Sequence, residues 1–359
     1  MKNKDIKKKL KKKKTKKLTS ADFLSTGSTL LNLACTGKPY RGFTKGKYYR
    51  MVGDSSSGKT FLTLTCLAEA SINKNFKDYR FIFDNGEDGA LMNIRKFFGK
   101  EVSKRMEAPG YTKKGEAVYS ETIEDFYYNV DDAIKADKPF IYILDSMDSL
   151  TSKDEQKKFD VTKKAHRKGN KVAGSYGDGK AKKNSCNLRK LLTPLKKSKS
   201  ILIILSQTRD NIGFGSQFNP KVNSGGNALK FYACMEIWSS VRSIEKKMVK
   251  GKKREIGKIL LLQTKKNRVR GWDRKVYMRI YHSFGFDNTG SCIDYLIEEG
   301  HWKSKDGTIK APEFDFVGKE SKLIKYIEDK EMEKDLIGIV SDVWDEIEEA
   351  CSIKRKKRY

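Results

Sequence analysis

The residues best equipped for chemistry lie between 53 and 60, where Gly53, Asp54, Ser55, Ser56, Ser57, Gly58, Lys59 and Thr60 spell GxxxxGK[ST]. Glycines at both ends let the backbone bend round an anion. Successive amides and a helix N-terminus then present positive potential to phosphate. Lys59 is expected to neutralise β- and γ-phosphate charge, and the Thr60 hydroxyl to bind Mg²⁺. The whole run is a candidate cradle for ATP. The motif needs a strand before it and a helix after it, and residues 48–53 and 59–72 meet both needs.

Two further runs supply acids. Residues 141–144 are apolar and end in Asp145, the arrangement that holds Mg²⁺ at the C-terminal edge of a sheet. Hydrolysis also needs a carboxylate to position water. The strand-like run 81–84 leads into Glu87, taken as that base, with Asp84 as the second candidate.

Elements must bring these residues together. Residues 48–53, 81–84, 140–145 and 201–206 are short apolar runs without alternation, as suits strands covered on both faces. They interleave with helical patterns at 59–72, 122–134 and 187–197. That order predicts a doubly wound α/β domain with a mostly parallel sheet. Residues 146–185 and 210–226 break the pattern and are expected to be irregular, functional stretches. After Cys234, β-type segments at 235–242, 256–263 and 274–281 are joined by basic turns. From 285 onward the chain reads as a small α-rich domain, with helices near 293–299, 319–327 and 335–350 and a basic end.

Charge narrows the partners. The 359 residues carry 76 Lys and Arg against 46 Asp and Glu, a formal net charge of +30. Self-repulsion on that scale calls for a polyanionic partner, nucleic acid before an anionic membrane surface. Residues 1–18 hold eleven Lys and one Asp with no hydrophobic pattern, and are expected to form a disordered basic arm. No apolar run is long enough for a membrane span, and no secretory h-region is visible. The six cysteines are scattered without a CxxC pair, and are expected to be buried thiols in a reducing, cytoplasmic compartment.

At this point the order of pieces resembles the bacterial and phage RecA-type recombinases. Residues 23–32 (FLSTGSTLLN) are similar to the family's segment ahead of its core. SQTRDNIG from Ser206 and SGGNALKFYA from Ser224 are similar to its second DNA-binding loop and closing helix. The likeness runs from about residue 19 to about 349. It implies a RecA-like P-loop ATPase core over 19–284, a small C-terminal domain over 285–359, and a protein that filaments on single-stranded DNA and pairs it with duplex.

The resemblance also implies roles. Gln207 would sense the γ-phosphate and relay it to the loop 210–226, where Arg209, Phe214, Phe218, Gly225, Gly226 and Asn227 would meet DNA. The stretch 146–185 sits where the first DNA loop belongs, with Lys163, Lys164, Arg167, Lys168 and Lys171 on phosphates. Lys266 and Arg268 would reach across a subunit interface to the neighbour's ATP. The sequence departs from the family where its N-terminal packing helix should stand, and residues 88–95 offer no aromatic for adenine. A ring-forming motor of the same fold (a hexameric helicase or branch-migration ATPase) is the alternative, and a basic DNA scaffold protein a more distant one.

Overall fold

The structure is a computed structural model that describes residues 17–169, 179–210, 221–223 and 226–356. Ten strands among them form one sheet: β1 (Lys47–Gly53), β2 (Arg80–Asp84), β3 (Met106–Glu107), β4 (Phe140–Leu144), β5 (Ile201–Asp210), β6 (Lys221–Asn223), β7 (Met235–Val249), β8 (Lys252–Asn267), β9 (Lys275–Tyr281) and β10 (Gly285–Asp287). Their spatial order is β10-β9-β8-β7-β1-β5-β4-β2-β3, with β6 folded back onto β5. From β7 to β3 every neighbouring pair is parallel, whereas β7 to β10 form an antiparallel meander. The expected α/β class with a mostly parallel central sheet is what the chain adopts.

The unalternating apolar runs have a direct cause. Tyr49, Met51, Ile141, Ile143, Ile201, Ile203 and Leu205 pack into one core, while Tyr48, Phe140, Tyr142, Leu144, Leu202 and Ile204 pack into a second on the other face. Both faces are dry, so both side-chain parities must be apolar. The first core is covered by α1 (Thr29–Thr36) and α2 (Lys59–Ile72). The second is covered by α3 (Ile123–Lys135), whose buried residues include Phe126 and Val130.

Four expectations change. The stretch 146–185, read as irregular, is largely helical: α4 (Lys153–Arg167) and the first turns of α5 (Gly179–Ser198) occupy its described part. Its polar composition hid the pattern because α4 buries no residue at all. A capping box between Ser152 and Glu155 starts α4. Lys183 then ties its base, with Glu124 on one side and Asp154 at 2.7 Å on the other.

The segments 235–242 and 256–263 extend to 249 and from 252, so their basic turn is the tip of a long ribbon. The sheet acquires its last strand, β10, beyond residue 284. Helices α7 (Asn288–Glu298), α8 (Glu320–Asp329) and α9 (Glu333–Ala350) share the first core. Finally, Cys35, Cys66 and Cys292 are buried, but Cys186 and Cys351 are exposed and Cys234 is half-buried. Among the described residues no helix is long and apolar enough to cross a membrane.

Candidate nucleotide site

Strand register builds the site. Gly53, the last residue of β1, stands opposite Gln207 of β5. Asp145 directly follows β4. The amide of Asp145 donates to Asp84 O and that of Glu87 to Asp145 O, each at 2.9 Å. All four chemical residues therefore emerge at the same carboxyl edge of the sheet, where ligands of open α/β sheets sit.

The loop between β1 and α2 is shaped by its glycines. A Cβ on Gly53 would lie 2.3 Å from the carbonyl of Ser239, and Gly58 has a left-handed φ of +81°. Ser57 Oγ donates to Asp54 O at 2.7 Å, and Ser239 Oγ to Ser57 O at 2.5 Å, so the loop is braced from within and from β7. Lys59 is buried and donates to the carbonyls of Gly53 at 2.9 Å and Asp54 at 2.7 Å. Burial lowers its pKa, opposed by the nearby carboxylates of Asp145, Glu87 and Asp54. A lysine held this way gains most from an arriving polyphosphate.

The Thr60 hydroxyl donates to Asp145 Oδ2 at 2.6 Å. Burial raises the Asp145 pKa, and the Thr60 bond partly opposes the rise. One hydroxyl and one carboxylate at the mouth of a phosphate loop are the oxygen donors that suit Mg²⁺, which takes few protein ligands. Ser55, Ser56, Ser57, Gly58, Lys59, Thr60, Glu87, Asp145 and Gln207 line one cavity of about 350 Å³.

Glu87 and Asp84 part company. Asp84 is turned inward, where it accepts from Ser120 N at 2.9 Å, Ser120 Oγ at 2.6 Å and Tyr142 Oη at 2.6 Å. It is a structural anchor with its oxygens occupied. Glu87 reaches the cavity, accepts from Gln207 Nε2 at 2.9 Å, and also bonds Ser146 Oγ.

Sequence reasoning missed three features. Asp148 accepts the backbone amide of Gln207 at 2.6 Å, an acid legible only as the third residue past Asp145. The Thr208 hydroxyl bonds Asp54, tying β5 to the loop between β1 and α2. A second cavity of about 250 Å³ shares Ser56, Gly58, Phe61 and Met92 with the first, and adds Phe97, Ile280, Tyr281 and His282. Its aromatics come from α2, from a short helix after residue 93 and from β9, which is why a search confined to 88–95 found none. Phe61, next to Thr60, was the one local signal.

Lys266 and Arg268 lie elsewhere. Lys266 pairs in register with Glu236, which pairs with Arg50, three residues before Gly53 and so roughly 10 Å back along the strand. Lys266 Nζ donates to the carbonyls of Lys230 at 2.5 Å and Phe231 at 2.8 Å, and Arg268 to Phe231 O at 2.8 Å. Burial, with Arg268 next, lowers the Lys266 pKa to about 8. Both cations point away from the chain's own phosphate loop.

Lys163, Lys164, Arg167 and Lys168 line the far end of α4, exposed and without an ion pair among the described residues. Arg209 is exposed near the end of β5. Gly226 and Asn227 begin α6 (Asn227–Tyr232); a Cβ on Gly226 would lie 2.8 Å from that of Ala181 at the start of α5. The flanks of the two expected DNA loops thus adjoin. Lys171, Phe214, Phe218, Gly225 and residues 1–16 fall outside the described residues.

Known proteins agree with this architecture. The family model of the RecA N-terminal domain matches residues 131–287. The RecA protein of Bacteroides thetaiotaomicron is 27% identical over 302 residues, covering 80% of this chain and 78% of its own. That of Prochlorococcus marinus strain MIT 9515 is 28% identical over 343 residues, covering 93% and 81%. That of Helicobacter acinonychis is 28% identical over 287 residues, covering 79% and 72%. The chain is thus similar in sequence to RecA proteins over most of its length.

Proposed function

We propose that the chain is a Mg²⁺-dependent, DNA-stimulated ATPase that assembles as a helical filament on single-stranded DNA and pairs it with homologous duplex. One observation carries the reading. The side chain of Gln207 contacts Glu87 in the phosphate cavity, while the strand that carries it runs on to Asp210, where the segment expected to meet DNA begins. An amide can donate to a carboxylate or to a phosphate oxygen, so nucleotide occupancy can be exchanged for a change in that segment.

Gly53 to Thr60 would cradle the triphosphate, with Lys59 on the β- and γ-phosphates. Thr60 and Asp145 would hold Mg²⁺, which when bound adds positive charge against the developing phosphate charge. Glu87 would orient the attacking water, and Tyr281, His282, Phe61 and Met92 would enclose the base. Lys266 and Arg268, facing away from their own loop, would complete the neighbouring subunit's site. Lys163, Lys164, Arg167, Lys168 and Lys171, with Arg209, Phe214, Phe218, Gly225, Gly226 and Asn227, would line the DNA path. A cytoplasmic location follows from that substrate.

The test is ATP hydrolysis with and without single-stranded DNA, using Lys59→Ala as the blank. Stimulation that vanishes in Lys59→Ala is expected. An equal rate without DNA would favour a ring-forming motor, and DNA binding without hydrolysis would favour a scaffold protein.

A further inference from the structure

The parallel ladder between β4 and β5 ends early. Its last pair is Leu144 with Ile204, although β5 runs on to Asp210. Past that point the turn after β4 takes over as the neighbour of β5. Met147 donates its amide to Leu205 O at 3.0 Å, and Met147 and Leu150 are buried in the second core. Ser149 Oγ donates to Ser146 O at 2.8 Å and closes the turn. The next amide to be satisfied is that of Gln207, and Asp148 Oδ2 accepts it at 2.6 Å. A side-chain carboxylate thus extends a ladder that the backbone has left, with a charge-assisted bond.

The other side of β5 is held as well. Gln207 pairs in register with Gly53, and the Thr208 hydroxyl bonds Asp54. Residues 207 and 208 are therefore gripped from the turns that follow β4 and β1. Asp148 itself lies mostly buried. Burial raises its pKa; the Gln207 amide, Arg50 and Arg209 oppose the rise, and Glu87 adds to it. Its carboxylate thus feels both the acid in the phosphate cavity and the cation further along β5. Yet the cavity lined by Lys59, Glu87, Asp145 and Gln207 does not include Asp148. What Asp148 does there must pass through the residue it holds.

We propose that Asp148 is a positioning residue for the DNA-stimulated reaction, holding the main chain of Gln207 as a pivot. With that peptide fixed, a change in the segment beyond Asp210 turns the Gln207 side chain between Glu87 and the γ-phosphate. With the bond removed, the same change is absorbed by the strand end. ATP would still be hydrolysed and DNA still bound, but the two would be uncoupled. This role rests on the reading of the chain as a DNA-stimulated ATPase.

The test is a mutant cycle in the full-length chain. ATP hydrolysis is measured with and without single-stranded DNA, beside binding of a labelled oligonucleotide. Asp148→Ala should cut the stimulation by about ten-fold or more through misplacement of Gln207, with unstimulated hydrolysis and oligonucleotide affinity within about three-fold. Asp148→Asn keeps an acceptor in place and should keep most of the stimulation. In a Gln207→Ala background, Asp148→Ala should change neither unstimulated hydrolysis nor oligonucleotide binding. Full stimulation in Asp148→Ala would overturn the proposal. So would a further drop of either quantity in the Gln207→Ala background, which marks a general structural role. Should Asp148→Ala not fold, Asp148→Glu keeps the charge but moves the acceptor by one methylene; full stimulation there would count against the proposal equally. Failure of DNA to stimulate the unaltered chain would instead strike the functional reading, and is scored before any variant.

Discussion

Gln207 donates its side-chain amide to Glu87 at 2.9 Å and its backbone amide to Asp148 at 2.6 Å. One residue is thus pinned by its main chain while its side chain spans the cavity that the phosphate loop lines. If Glu87 orients water, Glu87→Gln should lower ATP hydrolysis by about 10²- to 10⁴-fold with nucleotide affinity nearly unchanged. Gln207→Ala should keep hydrolysis without DNA within a few-fold and lose the DNA stimulation. Full stimulation in Gln207→Ala would remove it from the coupling path.

Lys266 provides a pH test. Its pKa is lowered to about 8, so the side chain is cationic below that pH and neutral above it. A neutral amine draws no phosphate across an interface. ATP-driven assembly on DNA should therefore fall as pH rises through about 8, with the midpoint moved upward by any phosphate that binds. Lys266→Arg keeps its charge throughout and should flatten the profile. Light scattering across the range reads both; identical profiles would argue against a role for the charge.

The second cavity separates base from phosphate recognition. Tyr281→Ala should weaken ATP binding by about ten-fold through lost ring contact, while inorganic tripolyphosphate binds within about two-fold of the unaltered chain. Equal weakening of both ligands would mean that Tyr281 supports the loop and does not touch the base.

A stability prediction comes from the sheet interior. Arg50 and Glu236 form an ion pair at 3.3 Å with both side chains fully buried, and Trp238 Nε1 donates to Glu236 at 2.9 Å. Glu236→Ala leaves a buried guanidinium without its carboxylate and should cost about 3–5 kcal/mol. Arg50→Leu with Glu236→Leu should recover most of that loss. Chemical denaturation of the two variants measures the difference, and a double variant no better than the single would refute it.

The sequence by itself determined the local pattern: a phosphate loop between strand and helix, an acid closing an apolar strand, and a large excess of basic residues. Those features are contiguous or nearly so, and short-range pattern reads them well. Tertiary structure decided what depends on pairing. It set Glu87 in the cavity and turned Asp84 away, since only register and burial reveal that Asp84 is consumed by Ser120 and Tyr142. It assembled the second cavity from residues more than two hundred positions apart, Phe61 and Tyr281. It drew Lys266 to the carbonyl of Phe231, and it set Lys247 directly opposite Arg254. Charge and spacing are written along the chain; which side chains oppose one another is fixed only when strands choose their neighbours.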